Sequence, residues 1–157
     1  MTLSELNKTL RDRAIEYGLC DEWQNTIWNR LLSYEELIRI YIKGIDFSLK
    51  NDWLDYELVK REFPIDELHK QNVYIDEVVD IEGGHGYYLF LGSCIGKLTF
   101  DGLWAGSVYV MHKSNISIFA YGGAKVLART YDDGRAISRS DAFSHVTVLN
   151  RKKKRGH

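Results

Sequence analysis

The chain has 157 residues, of which 45% are hydrophobic and 27% are charged, and its formal net charge at pH 7 is −1. This length predicts one domain or two small ones, and the near-neutral charge argues against a surface devoted to nucleic acid or acidic membrane. The start of the chain lacks the apolar core of a signal peptide, and no run approaches the ~18 apolar residues of a membrane span. Two cysteines without a CxxC motif are typical of a reduced, cytoplasmic protein.

Residues 1–72 are predicted to form a small helical region. Apolar side chains recur at three- and four-residue steps from Leu3 to Tyr17, which predicts a first helix that stops at Gly18. A second helix is expected after Asp21.

The stretch Ser33-Tyr34-Glu35-Glu36 matches a capping box and predicts the start of a third helix, which ends near Gly44. The polar triplet Lys50-Asn51-Asp52 is interpreted as a turn. Asp52 or Asp55 is expected to cap a fourth helix that ends at Pro64, and a short fifth helix follows up to Asn72.

Residues 73–150 are predicted to form a domain of short β-strands. Apolar or small residues alternate with polar ones in pairs whose first members follow one another at steps of 9, 10, 8, 10, 10 and 10 residues. These pairs are Leu89/Leu91, Leu98/Phe100, Val108/Val110, Ile116/Ile118, Val126/Ala128, Ala136/Ser138 and Val146/Val148. Turn residues lie between the pairs, so the segment indicates an all-β repeat unit.

Two architectures fit this repeat: a β-solenoid, and an antiparallel meander folded into a sandwich or barrel. The nearly constant step favours the solenoid, as do the small late residues expected to point inward, Ala124, Ala128, Ala136 and Ala142. The Asn-Gly pair typical of tight hairpins is absent. The predicted fold class is therefore α+β, with a small N-terminal helical segment followed by an all-β repeat, solenoid preferred and meander second.

The chain resembles a family of uncharacterised proteins from gut bacteria and their phages. The residues that carry the resemblance are the phrases Gly18-Leu19-Cys20-Asp21-Glu22-Trp23, Lys43-Gly44-Ile45-Asp46-Phe47, Phe100-Asp101-Gly102, Val108-Tyr109-Val110 and Ala124-Lys125-Val126. The resemblance implies a helical front, β-helix-like repeats behind it, and a phage or mobile-element setting. It implies no activity and no catalytic residues.

Candidate chemistry centres on the phrase Gly83-Gly84-His85-Gly86, where His85 is a candidate general base on a loop. Cys94 is a candidate nucleophile if the fold places His112 or His145 beside it. No histidine or cysteine spacing matches a metal site, and no phosphate-binding glycine motif occurs, so neither metal nor cofactor is expected.

Candidate binding residues are Tyr109, His112, Tyr121 and Tyr131, which lie near equivalent positions of successive repeats. If they lie on one face, they would stack into a ladder that a partner could contact. This predicts a non-catalytic protein-interaction module whose partner is another protein or a second copy of the chain. A small enzyme with its site near His85 is the alternative.

The last segment, residues 151–157, is predicted to be a basic, flexible tail. It contains five consecutive basic residues, Arg151, Lys152, Lys153, Lys154 and Arg155. Such a block can bind phosphate backbones in a salt-dependent way, so nucleic acid is a further candidate partner, while a solvated terminus is the simpler interpretation.

Overall fold

The computed structural model describes residues 1–18, 28–51 and 53–151. The chain divides into two compact units, with the boundary between Leu68 and His69. Helices dominate the first unit, and strands dominate the second.

Five helices are described, and local sequence signals explain their ends. They are α1 (Leu3–Glu16), α2 (Tyr34–Lys43), α3 (Ile45–Asn51), α4 (Tyr56–Glu62) and α5 (Ile65–Lys70). The Thr2 hydroxyl accepts the Glu5 N–H at the start of α1, and Ser33 and Glu36 form the predicted capping box of α2. The predictions of the first and third helices are therefore confirmed. Of the second predicted helix, residues 19–27 lie outside the described residues, whereas Trp28, Leu31 and Leu32 are described and are not helical, so this part of the prediction is wrong.

Of two local predictions in the helical unit, the turn at Asn51 is wrong, and the cap at Asp55 is right in position but lacks the side-chain hydrogen bond. Asn51 ends the helix α3 rather than lying in a turn, because the helical hydrogen bonding continues from Gly44, whose carbonyl accepts the Ser48 N–H. Asp55 precedes α4 but makes no capping hydrogen bond with its side chain. Its carboxylate instead pairs with Arg13 of α1 at 3.0 Å, so a tertiary ion pair has replaced the local cap.

Nine parallel-paired strands form the second unit. They are β1 (Val73–Ile75), β2 (Val78–Glu82), β3 (Gly86–Leu91), β4 (Ile95–Asp101), β5 (Ala105–Val110), β6 (Asn115–Tyr121), β7 (Lys125–Tyr131), β8 (Arg135–Ser140) and β9 (His145–Arg151). The odd-numbered strands form a five-stranded sheet in the order β1-β3-β5-β7-β9, and the even-numbered strands form a four-stranded sheet in the order β2-β4-β6-β8. Strand pairs in both sheets are parallel, so the meander is excluded and the predicted β-solenoid, of about four coils, is confirmed.

From β3 onward, one coil contains two strands and 20 residues; the first coil is shorter, since Val73 pairs with Leu89 and Val78 with Ile95. Gly86 pairs with Gly106, and Asn115 pairs with Arg135, so residues 20 apart lie side by side in neighbouring coils. The ten-residue step of the sequence is therefore half a coil and takes the chain from one sheet to the other.

A left-handed backbone residue starts each of the five successive turns between β3 and β8. Positive φ angles recur at ten-residue spacing, 72° at Gly92, 126° at Gly102, 58° at His112, 70° at Gly122 and 55° at Asp132. Glycine, asparagine, aspartate and histidine tolerate this conformation better than other residues, so the turns differ in sequence but share one geometry.

The solenoid core lies between the two sheets and narrows along the chain. Phe90, Leu98 and Phe100 fill the early coils, and Ala120, Ala124 and Ala128 fill the later ones; all six are fully buried. The predicted inward position of Ala142 is wrong, because Ala142 lies in the exposed turn before β9. Among the described helices, none is long and apolar enough to cross a membrane.

Candidate functional site

Two of the histidines singled out in the sequence, His85 and His112, hydrogen-bond to the backbone of a neighbouring coil. His85 lies in the turn between β2 and β3, and its Nδ1 accepts the N–H of Ala105 in the next coil at 3.1 Å. The His112 Nδ1 accepts the N–H of Gly92 in the preceding coil at 2.9 Å. These two bonds therefore occupy the Nδ1 atom of each ring. The geometry gives both rings a structural role, and a catalytic role for His85 stays a prediction.

Carboxylates and hydroxyls in other turns also accept hydrogen bonds from backbone amides of neighbouring coils. The Asp76 Oδ1 accepts the Ser93 N–H at 2.8 Å, and the Asp141 Oδ2 accepts the Gly122 N–H at 2.9 Å. The bond from Gly122 is the main reason that the pKa of Asp141 is lowered. The Ser144 Oγ accepts from two amides of the previous coil. These polar turn residues therefore satisfy backbone groups where the sheets end, which accounts for them without catalysis.

The Cys94 thiol is buried and is not arranged as a nucleophile. It donates to the Leu91 carbonyl at 3.3 Å, and its residue is 1% exposed. Burial raises the pKa of the Cys94 thiol, so the reactive thiolate is disfavoured at neutral pH. His112, the first candidate base for this thiol, uses its Nδ1 on Gly92. His145, the second, has its Nε2 within 3.0 Å of the Thr147 hydroxyl.

The predicted ladder of Tyr109, His112, Tyr121 and Tyr131 is wrong as a geometry. Tyr121 lies in β6 of the four-stranded sheet, whereas Tyr109 and Tyr131 lie in β5 and β7 of the five-stranded sheet. His112 lies in a turn. The reason is the 20-residue coil, which places residues ten apart in opposite sheets. The two tyrosines of the five-stranded sheet are also buried, at 8% and 4% exposure, while Tyr121 is exposed.

Tyr109 has a partner within the protein. The Arg129 guanidinium lies 5.5 Å from the Tyr109 ring centroid, and its Nη1 is 3.4 Å from the Tyr109 hydroxyl. This cation–π contact joins two coils. The arrangement indicates a structural role for Tyr109, and the binding roles assigned to these four residues stay predictions.

Only the first residue of the basic block is described. Arg151 is the exposed last residue of β9, while Lys152, Lys153, Lys154 and Arg155 lie outside the described residues. Nucleic-acid binding through this block stays a prediction. Within residues 1–18, 28–51 and 53–151, no group of three or more histidine, cysteine, aspartate or glutamate side chains is placed to hold a metal ion.

The surface with the composition of a binding site is the outer side of the four-stranded sheet, which we call the open face. It consists of the outward-facing residues of β2, β4, β6 and β8, aligned by the parallel register. They are Val78, Asp80, Glu82, Ile95, Lys97, Thr99, Asp101, Asn115, Ser117, Phe119, Tyr121, Arg135, Ile137 and Arg139.

Apolar side chains on the open face are unusually exposed. Val78 is 86% exposed, Ile137 62% and Ile95 54%. Phe119 and Tyr121 stack on each other with ring centroids 6.5 Å apart. Scattered apolar residues are normal on a protein surface, but several on one flat sheet face mark an interaction surface.

The charges of the open face are segregated by coil. The first strand, β2, carries the carboxylates Asp80 and Glu82, and the last strand, β8, carries the guanidinium groups Arg135 and Arg139. In β4 the charges of Lys97 and Asp101 cancel, and the outward residues of β6 are uncharged. The face is therefore acidic at one end, without net charge in the middle strands, and basic at the other end.

An apolar row of turns borders the open face. Leu103 and Phe143 are 82% and 83% exposed at equivalent positions of coils two apart, with Gly123 between them. A side chain on Gly123 would collide with Leu103, since its Cβ would lie 2.6 Å from the Leu103 Cδ2. The apolar surface thus continues past the ends of β4, β6 and β8.

The outer side of the five-stranded sheet is different. Five of its apolar residues, Leu89, Leu91, Tyr109, Met111 and Tyr131, are at most 8% exposed, whereas Leu149 in its last strand, β9, is 37% exposed. The open face therefore exposes more large apolar side chains to solvent than the outer side of the five-stranded sheet does.

Sequence reasoning missed most of the open face. Phe119, Arg135, Ile137 and Arg139 were not among the candidate residues, although Tyr121 was. The signal that would find them is the 20-residue spacing of Thr99, Phe119 and Arg139, which form one column across the sheet. That column is recognisable only once the length of a coil is known.

No protein-family model, curated protein or solved structure matches this chain. The resemblance to uncharacterised proteins of gut bacteria and phages therefore stays a prediction.

Proposed function

We propose that this protein is a non-catalytic interaction protein that binds a protein partner through the open face of its solenoid. The observation that carries the proposal is the exposure of Val78, Ile95, Tyr121 and Ile137 on one sheet surface. Burying these groups against a partner would remove apolar area from water, which is the main favourable term in protein association.

The composition of the open face suits protein recognition. Aromatic residues and arginine are enriched in the binding centres of protein interfaces, and Phe119, Tyr121 and Arg139 are neighbours here. The parallel strands fix these side chains on a rigid frame, so little conformational entropy is lost on binding.

A catalytic function has less support. The nucleophile candidate Cys94 is buried with a raised pKa, and the His85 and His112 rings accept backbone hydrogen bonds through Nδ1. Each of these groups has a structural explanation. Within the described part of the chain, no structural role explains the exposed apolar side chains of the open face.

The proposal is tested by affinity capture with matched variants. The open-face variant is Tyr121→Ser/Ile137→Ser, and the control is Ile65→Ser, which replaces an isoleucine of similar exposure (56% against 62%) in the helical unit. We expect the wild type and the control to retain the same partner proteins from host extract, and the open-face variant to lose them.

Circular dichroism of each variant checks that the fold is retained. A retained set of proteins that is identical for all three forms, together with a wild type that does not self-associate, would contradict the proposal. Loss of binding in the Ile65→Ser control alone would place the binding surface on the helical unit, and this result would also contradict the proposal.

A further inference from the structure

We infer that the open face binds a second copy of this chain, face to face, in a two-fold dimer. This inference rests on the proposed function, since it names the occupant of the same surface. It is carried by the order of charges across the four strands, which is complementary to itself when reversed.

The symmetry of the pairing follows from this charge order. A face-to-face dimer has its two-fold axis in the plane of the interface. An axis along the stack of coils would put β2 on β2 and β8 on β8, so that carboxylates meet carboxylates and arginines meet arginines. An axis parallel to the strands reverses the coil order and puts β2 of one copy over β8 of the other. Opposite charges then meet at both ends of the interface, which selects the second axis.

The strand register gives specific neighbours in this arrangement. Glu82, Thr99, Phe119 and Arg139 form one column across the sheet. Reversal of the coil order places Glu82 of one copy opposite Arg139 of the second copy, and Thr99 opposite Phe119. Both ends of the column thus form ion pairs, and the aromatic residues lie near the centre, where water is excluded most effectively.

The next columns agree with this pairing. Asp101 and Tyr121 are register partners in β4 and β6, so reversal places the Asp101 carboxylate opposite the Tyr121 hydroxyl of the second copy, a donor for it. Asp80 would lie opposite Ile137, between the guanidinium groups of Arg135 and Arg139. No like-charged residues of these columns oppose each other.

The size of the face sets the expected strength. Four strands about 4.8 Å apart and about 20 Å long give a sheet surface of roughly 400 Å² per copy. A standard stable interface buries about 800 Å² per partner, so this dimer belongs to the small, weak class. We therefore expect a dimer that dissociates on dilution in the micromolar range and weakens as salt screens its ion pairs.

Charge reversal is the experiment that tests the inference. The acid-reversed variant is Asp80→Arg/Glu82→Arg, and the arginine-reversed variant is Arg135→Glu/Arg139→Glu. The control is Glu16→Arg/Asp133→Arg, which makes the same change in net charge as the acid-reversed variant at exposed sites outside the open face. Sedimentation equilibrium over about 1 to 200 µM measures the monomer–dimer equilibrium of each protein.

We expect the wild type and the control to dimerise with similar dissociation constants. Each reversed variant alone should show at least about a tenfold higher dissociation constant, because both ends of its homodimer would juxtapose like charges. An equimolar mixture of the two reversed variants should recover the wild-type constant to within about threefold, since one end of the heterodimer regains the wild-type pairs and the other end forms the same pairs with their signs exchanged. This recovery also shows that the variants are folded.

Three results would overturn the inference. The first is a wild type that stays monomeric across the whole concentration range. The second is dimerisation that neither reversal weakens, and the third is a mixture that forms no heterodimer although both variants are folded by circular dichroism. A monomeric wild type whose affinity capture still depends on Tyr121 and Ile137 would leave the proposed function standing with a different protein on the open face.

Discussion

The packing of Phe100 against two glycines gives the sharpest test of the solenoid core. Phe100 is fully buried, and a Cβ built on Gly106 would lie 2.6 Å from its Cε1 and 2.7 Å from its Cζ. A Cβ on Gly83 would lie 2.5 Å from the same ring. The ring therefore occupies the space that side chains at these two strand and turn positions would fill.

The structure predicts that the Gly106→Ala and Phe100→Leu substitutions are strongly non-additive. Alone, Gly106→Ala overpacks the core and should lower the free energy of unfolding by about 1–3 kcal/mol. Alone, Phe100→Leu leaves a partial cavity and should lower it by about 1–2 kcal/mol.

In the double variant the two defects compensate. Leucine lacks the Cε1 and Cζ atoms that the new methyl group would strike, and the ring Cδ1, whose place a leucine methyl can take, lies 3.5 Å from the position of the alanine Cβ. This distance is ordinary van der Waals contact. Adding Gly106→Ala to Phe100→Leu should therefore be neutral or stabilising by up to about 1 kcal/mol, through cavity filling and reduced chain entropy. The expected coupling energy is about 2 kcal/mol.

Native-state hydrogen exchange of the β4 and β5 amides is the suitable assay, because it reports the stability of the solenoid separately from that of the helical unit. Gly84→Ala is the control, since its Cβ would meet only Trp104, at 3.8 Å, and should change stability by less than about 0.5 kcal/mol. Additive losses from the two core substitutions would refute the packing argument. So would a Gly106→Ala variant as stable as the wild type.

Two further predictions concern ionisable groups of the solenoid. The Gly122 N–H lowers the folded-state pKa of Asp141 below its unfolded value of about 4, so the stabilisation is present above that pH and is lost as the pH falls through the folded-state value. Urea unfolding at pH 6 and pH 3 should show a smaller acid destabilisation in Asp141→Asn than in the wild type; equal losses would contradict this. In a Cys20→Ser background, Cys94 should react with a thiol reagent only as fast as the solenoid opens, because its thiol is buried and its pKa is raised. Rapid labelling under native conditions would show that the thiol is accessible.

Local signals were sufficient to predict the helical boundaries that depend on neighbouring residues. The Ser33–Glu36 capping box is an interaction within four residues, and the sequence therefore contains all of it. Asp55 has the sequence context of a cap, but its carboxylate pairs with Arg13, which is 42 residues away. The competition between the helix cap and the ion pair exists only in the folded unit. The spacing of residues in the sequence therefore could not predict it.

The sequence predicts the repeat, but two of the predicted strand pairs, in β3 and β6, are shifted relative to the residues that continue the ten-residue step inside the solenoid. The pair Leu89/Leu91 does not face the solenoid interior; Tyr88 and Phe90 do, and they lie ten residues before Leu98 and Phe100. In β6 the inward residues are Ile116, Ile118 and Ala120, and the last two lie ten residues beyond Val108 and Val110. The irregular steps of 9 and 8 therefore disappear, and the half-coil step is constant from Tyr88 onward. Leu89 and Leu91 were predicted as core residues of the solenoid because they are apolar. Their side chains are buried, although they point away from the solenoid interior.

The open face was harder to predict for a reason of symmetry. A ten-residue step preserves whether a side chain points inward or outward, but it exchanges the sheets. The ten-residue pattern therefore predicts the solenoid core, which both sheets share. It does not separate the outer side of one sheet from the outer side of the other. Tyr121 and Tyr131 looked equivalent, yet one is exposed on the open face and the other is buried on the opposite sheet.

The distinction between half-coil and coil also decides which residues can act together on a partner. Turn geometry repeats every half-coil, since both edges of the solenoid must reverse the chain, and Gly92, Gly102 and His112 share that constraint. Surface chemistry is free to differ between the sheets and is connected only along columns of residues 20 apart. The column that runs from Thr99 through Phe119 to Arg139 changes from polar to aromatic to cationic within two coils. Because neighbouring parallel strands are held about 4.8 Å apart, the coil count fixes the distance between the carboxylates of β2 and the arginines of β8 at about 14 Å. The same regularity that builds the core thus sets the spacing of the charges that a second copy would match.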